Sequence, residues 1–323
     1  MSGIPAALYW PGAAVALSGL LFVSLLPLAR EVWRIREPRW IQQGPAGYAL
    51  LLLGTLFLWR WPAFFVTRPL DPDESQFIAG ALTLLHDPMP WRGLEGQTAG
   101  PLVYYPLLPL APLGRMDFLG ARVVGCLLIF GTLWFSYRAL RAGWGEALAR
   151  FGILPAACFF ALSTHSQFVH YSSEHVSLLL LAVAVAGVLA AMAGDRMPRA
   201  WQPGWVGAGA ALGAIPFAKL QAVPPAAFLF LVAVIWAGTR RATALRARVA
   251  AIGGLLAGLW LVPLIFALLL TLGGSWENFW ISYLAQNLFY ADHGWVGAPG
   301  PQVRRFLFLN SRAFGALLAG SLL

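Results

Sequence analysis

Hydrophobic residues run along this chain in blocks of roughly 17 to 25 positions, the length a helix needs to cross a hydrocarbon core, with polar positions gathered between them. The blocks fall near 12–29, 46–66, 118–137, 151–168, 176–193, 204–219, 221–237, 249–272 and from 306 onward, which predicts about nine transmembrane helices. The expected fold class is all-α, a polytopic helical membrane protein with amphipathic surface helices in its outward loops. Two gaps are long enough to hold structure of their own. In 67–117, the stretch SQFIAGALTLLHD sets Phe77, Ala81, Leu84 and Leu85 at helical spacing, which predicts a helix lying along the membrane surface. In 273–303, the aromatic run NFWISYLAQNLFY predicts a second surface helix, either an interfacial anchor or a cavity wall.

Charge orients these blocks. Arg30, Arg34, Arg36 and Arg39 follow the first block, and Arg138, Arg141, Arg150, Arg196, Arg199, Arg240, Arg241, Arg246 and Arg248 fall in every second gap after it. These are 13 of the 22 basic residues. Such gaps face the cytoplasm, so the amino terminus is expected outside and the first block is expected to be retained rather than cleaved. Nine of the 13 carboxylates and all five histidines then fall on or near the outward face. Composition agrees: 59% apolar residues, 11% charged residues and a mean hydropathy of +0.70 exclude an ordinary soluble domain. The net charge of +9 is mostly an orientation signal, and no nucleic-acid partner is expected. Cys126 and Cys158 lie inside apolar blocks without metal-ligand spacing and read as small core residues.

The outward polar residues carry the candidate chemistry. Asp71, Asp73 and Glu74 stand together in TRPLDPDESQF, where three neighbouring carboxylates at a membrane boundary need water, cations or substrate to compensate them. Each could instead cap the helix that follows. Farther on, GPLVYYPLLPL brings Gly100, Tyr104 and Tyr105 to the next block; tyrosines at that level commonly anchor at the interface. In HYSSEHV, Tyr171, Glu174 and His175 are expected near one helix face. His175 and Glu174 are also metal-ligand types, and a divalent metal ion stays open as a cofactor because no third ligand is evident. Lys219, in GAIPFAKLQAVP, is the only lysine beside 21 arginines. It reads either as a snorkelling side chain or as a point charge for a phosphate, with Arg60 and Arg122 as candidate helpers.

In this order, TRPLDPDESQF, GPLVYYPLLPL, ARVVGCLLIF, HYSSEH and GAIPFAKLQAVP resemble the membrane half of the GT-C glycosyltransferases that use polyprenyl-phosphate sugars, the protein O-mannosyltransferase and aminoarabinose transferase type. The resemblance spans roughly residues 50–290. It implies a GT-C-like helical domain over 46–323, an outward catalytic cavity, a sugar donor carried on polyprenyl phosphate, and a lipid, glycan or protein acceptor at the extracytoplasmic face of the inner membrane. By motif position Asp73 matches the family's catalytic acidic residue, Glu74 its neighbour, Glu174 the acidic residue of the second outward loop and Lys219 the basic residue of the span that follows. Asp73, as base, Glu74 and Glu174 are expected to be catalytic, Lys219 to hold the donor phosphate, and Asp73, Glu174 and Lys219 to converge on one cavity. Asp71, His175, Tyr171, Tyr105, Arg122 and Arg60 are expected to bind substrate. Residues 1–45 form an additional span and basic loop, because two blocks precede the acidic loop where the family usually has one, and little chain is left for a soluble domain. The competing classes are a transporter or flippase for a lipid-linked sugar or other anion, and a noncatalytic membrane subunit.

Overall fold

The computed structural model describes residues 6–33, 44–94, 98–193, 203–240 and 244–289. Among these the chain is helical, with no strand. The helices are α1 (Ala6–Trp33), α2 (Pro45–Phe64), α3 (Pro72–His86), α4 (Phe118–Leu162), α5 (Ser166–Val169), α6 (Ser173–Ala193), α7 (Pro203–Ala214), α8 (Val223–Thr239), α9 (Leu245–Gly273) and α10 (Trp276–Asn278). A π-helix over Phe279–Ala285 extends α10. Five stretches among the described residues are long and apolar enough to cross a membrane: Tyr9–Ala29, Phe118–Leu162, Ser173–Ala193, Leu220–Thr239 and Leu245–Gly273. The protein is therefore a helical membrane protein, since helices satisfy their backbone groups internally where lipid offers no partner.

Two expected spans take a different form, and one lies outside the described residues. The blocks at 118–137 and 151–168 form two helical halves of the 45-residue α4, separated at Gly145, whose φ of 83° and ψ of 179° suit only glycine. The block at 46–66 is helical as α2, but Trp59, Arg60, Trp61 and Pro62 dilute its apolar character, and it is not among the five. The block at 204–219 does not form one span. Its α-helix ends after 12 residues at Ala214, a 3-10 turn covers Ile215–Phe217, and Lys219 is extended at φ −159°, ψ 121°. The apolar stretch from 306 onward lies outside the described residues.

The chain divides into two compact units. The first takes Met1–Glu74 and Asp117–Ser172; the second takes Ser75–Met116 and Ser173–Ala298. In the first, α1, α2 and both halves of α4 bury Leu20, Leu52, Leu56, Ile129, Leu133 and Ile153 together. Polar side chains cross between these helices where small residues let them: Tyr48 Oη lies 3.0 Å from Ser24 Oγ, and the Trp59 indole N–H donates to the Ala13 carbonyl at 2.9 Å. At the turn, Glu146 accepts from Tyr137 at 2.7 Å and Arg150 at 2.6 Å.

In the second unit, α6, α7, α8 and α9 share a core around Val188, Trp205, Leu212, Ile215 and Leu255. The α7 and α9 backbones touch. A Cβ on Gly209 would stand 2.1 Å from the Leu255 carbonyl oxygen, and one on Gly258 would stand 2.1 Å from that of Val206, so only glycine permits this approach. The predicted surface helix forms as α3, with Phe77, Ala81 and Leu84 buried and Leu85 46% exposed. Its Gly80 presses on the buried Tyr104 ring, which also meets Phe77 edge-on at 5.8 Å.

Candidate functional site

Polar groups concentrate at two places, one in each unit. In the first unit, the chain leaves α2 and turns into α3 through TRPLDPDES. Pro72 occupies the first helical position, where its missing N–H costs nothing. Asp71 caps the helix by accepting the Asp73 N–H at 3.2 Å, and its other oxygen accepts from the Gln167 side chain at 3.0 Å. Glu74 is fully buried and faces the fully buried Arg122. The Arg122 Nε donates to Oε1 at 2.7 Å and Nη2 donates to Oε2 at 2.8 Å, while Leu70 N–H donates to Oε2 at 3.1 Å.

Arg122 spends its remaining donors on carbonyls of the same connection: Ala63 at 2.8 Å, Val66 at 2.5 Å and Arg68 at 2.8 Å. All five guanidinium N–H groups are thereby committed, and the face of the group lies over the Phe118 ring. Arg60 is 3% exposed and donates to the Phe160 carbonyl at 3.0 Å and that of Val169 at 3.4 Å. Neither arginine thus offers a fork to a phosphate, because packing has already supplied carbonyl and carboxylate acceptors. Of the three clustered acids, one caps, one pairs internally, and Asp73 stands exposed in the first turn of α3.

The second place is the start of α6. Lys219 Nζ forms a very short ion pair with Glu174 Oε1 and donates to Ser173 Oγ at 2.9 Å, while Ser173 Oγ donates to Glu174 Oε2 at 3.2 Å. The lysine side chain is 18% exposed and the glutamate 50%. Ser173 is the first residue of the 21-residue α6, so the ammonium, the hydroxyl and the first-turn N–H groups of a long helix gather at one end. Ser173 carries no sequence signal beyond its place just ahead of an apolar run.

The helix begins at Ser173, so Tyr171 precedes α6 rather than sharing its face. Tyr171 and His175 are both buried, at 0% and 1% exposure. Tyr105 is half-buried and opens the 3-10 stretch Tyr105–Leu110. Asp73, Asp71, Glu74, Tyr171, Arg60 and Arg122 belong to the first unit; Glu174, His175, Lys219 and Tyr105 belong to the second. Among the described residues, no group of three or more His, Cys, Asp or Glu side chains is arranged to hold a metal ion. Asp292 and His293 lie outside the described residues.

The backbone around Lys219 is held from outside its own helices. The Gly100 N–H donates to the Ala218 carbonyl at 2.9 Å, and a Cβ on Gly100 would stand 2.1 Å from the Phe217 oxygen. A groove of about 310 Å³ opens beside this turn, lined by Leu212, Pro216, Val223, Phe230, Leu259 and Trp260 among other apolar residues. Beyond the turn, the loop after α3 is closed by Arg92 on Asp87, with Nε donating to Oδ2 at 2.8 Å. That hydrogen bond holds the Asp87 carboxyl below the usual aspartate value. Comparison with family models, with curated proteins and with solved structures finds no match.

Proposed function

We propose that this protein is a membrane glycosyltransferase. It moves a sugar from a polyprenyl-phosphate-linked donor to an acceptor hydroxyl at the extracytoplasmic face. The order of outward motifs supports the reading, and one observation carries it: the sole lysine stands with a serine hydroxyl at the amino terminus of a long helix, beside an apolar groove. Ammonium, hydroxyl and first-turn N–H groups together suit a phosphate oxygen. Glu174, its side chain half-exposed, pairs with the ammonium, and phosphate would compete with it for that charge. The isoprenoid chain would lie in the groove beside Pro216 and Val223.

In the reaction, Asp73 takes the proton of the acceptor hydroxyl, whose oxygen forms a bond to the anomeric carbon. The bond from that carbon to the phosphate oxygen breaks, and its electron pair leaves with the polyprenyl phosphate. Lys219 offsets the charge that builds on the departing oxygen.

The test is incubation of the purified protein in lipid with radiolabelled polyprenyl-phosphate sugars. Transfer or hydrolysis of the sugar is expected. Asp73→Asn should lower it by ~10² to 10⁴, the usual contribution of a positioned base, and Lys219→Met should weaken use of the lipid donor. Full activity in Asp73→Asn removes that residue from the role. The break between α7 and α8 favours a second reading, since interrupted helices also build transporter sites. Movement of the intact lipid between leaflets without sugar release would select it.

A further inference from the structure

We infer that Tyr283, with Asn287 one turn later, is a positioning residue that aims the Lys219 ammonium at the anionic headgroup of a lipid. This rests on the phosphate-binding reading of Lys219. The turn at Lys219 lacks the support of a continuous helix. The residue is extended between two 3-10 turns, so the carbonyls before it have lost their regular partners. Tyr283 Oη donates to the Pro216 carbonyl at 2.6 Å on one side of Lys219. On the other side, the Gln221 amide donates to Asn287 Oδ1 at 3.2 Å, while Asn287 Nδ2 donates to the Tyr283 carbonyl at 2.8 Å. The outward aromatic helix therefore grips the lysine turn before and after the residue that matters.

Tyr283 is itself firmly seated. It is 1% exposed, with the Trp91 ring 5.2 Å and the Phe279 ring 6.0 Å from its own. Trp91 adopts a φ of +55°, a costly conformation for a bulky side chain. It is held there by Asn278, whose side chain donates to the Trp91 carbonyl at 2.8 Å. The helix carrying Tyr283 is in the π form over Phe279–Ala285, a rare geometry found frequently at functional sites. Two backbone irregularities thus converge on one phenol. A helix serving only as a membrane anchor would need neither. Its outer face, with Trp280 59% and Ile281 61% exposed, meets that need, while the polar atoms of Tyr283 and Asn287 sit on the buried side.

The experiment uses the full chain in lipid nanodiscs and equilibrium binding of a radiolabelled polyprenyl monophosphate. Tyr283→Phe should weaken binding about 5-fold, the worth of one neutral hydrogen bond, and Asn287→Ala should do the same if the first variant folds poorly. Trp280→Ala, on the exposed face, should bind as the parent does. In a Lys219→Met background neither Tyr283→Phe nor Asn287→Ala should cost anything more, because the group they aim is gone. Equal, additive losses in both backgrounds would mean a general structural role and overturn the inference. So would loss of binding in Lys219→Met with none in Tyr283→Phe and Asn287→Ala. Unchanged binding in Lys219→Met would instead defeat the phosphate reading beneath it.

Discussion

Glu74→Gln replaces one carboxylate oxygen by an NH2 group without changing the shape of the side chain, in a place where three N–H groups already point at it. Arg122 Nε approaches one oxygen, and Arg122 Nη2 and the Leu70 N–H approach the other. Whichever way the amide turns, at least one donor then faces a donor. The Arg122 charge also loses its only carboxylate partner among the described contacts, at zero exposure. Breaking a buried pair from one side costs about 3–5 kcal/mol. The lower end is expected here, since Arg122 keeps its bonds to the Ala63, Val66 and Arg68 carbonyls. Chemical unfolding in mixed micelles, followed by circular dichroism, measures the loss. On the proposed function, sugar transfer per folded molecule should stay near that of the parent, because the pair spends its contacts on itself and on the connection between α2 and α3. Stability within about 1 kcal/mol of the parent would refute this reasoning. So would a large drop in turnover at full stability, which would place Glu74 in the chemistry.

Two further outcomes are expected. Gly258→Ala drives a Cβ to 2.1 Å from the Val206 carbonyl oxygen, whereas Gly253 on the same helix has nothing within 4 Å. The first should destabilise by roughly 1–3 kcal/mol or more by forcing α7 and α9 apart, and Gly253→Ala should leave the melting temperature unchanged or slightly raised; equal behaviour of the two would contradict the close approach. For the loop after α3, Arg92 holds the Asp87 carboxyl below the usual aspartate value. A depressed carboxylate contributes stability that is present above its unfolded value and lost as pH falls through the lower folded one. Amide exchange over 88–94 should therefore stay slow through the ordinary aspartate range and quicken only below it, while Arg92→Gln should move that onset upward; an onset identical in both proteins would rule the pair out as the cause.

Features legible along the chain are periodic and local. Apolar blocks long enough to cross a membrane must be helical, because lipid offers no partner for backbone groups. The helical spacing of Phe77, Ala81 and Leu84 is enough to name the buried face of α3. The run NFWISYLAQNLFY likewise announces its helix, though not the π form. Tertiary structure decided which polar group meets which. Arg122 and Glu74 are 48 positions apart, and no spacing rule pairs residues at that separation; only the packing of α4 against the end of α2 brings five acceptors to one guanidinium. The same holds for the block at 204–219. Its composition reads as a span, yet backbone contact between α7 and α9, together with the Tyr283 and Gly100 bonds to carbonyls beside Lys219, stabilises a broken helix instead. Local propensity is a property of neighbours along the chain, whereas a buried charge or a freed carbonyl persists only where a distant segment supplies its partner.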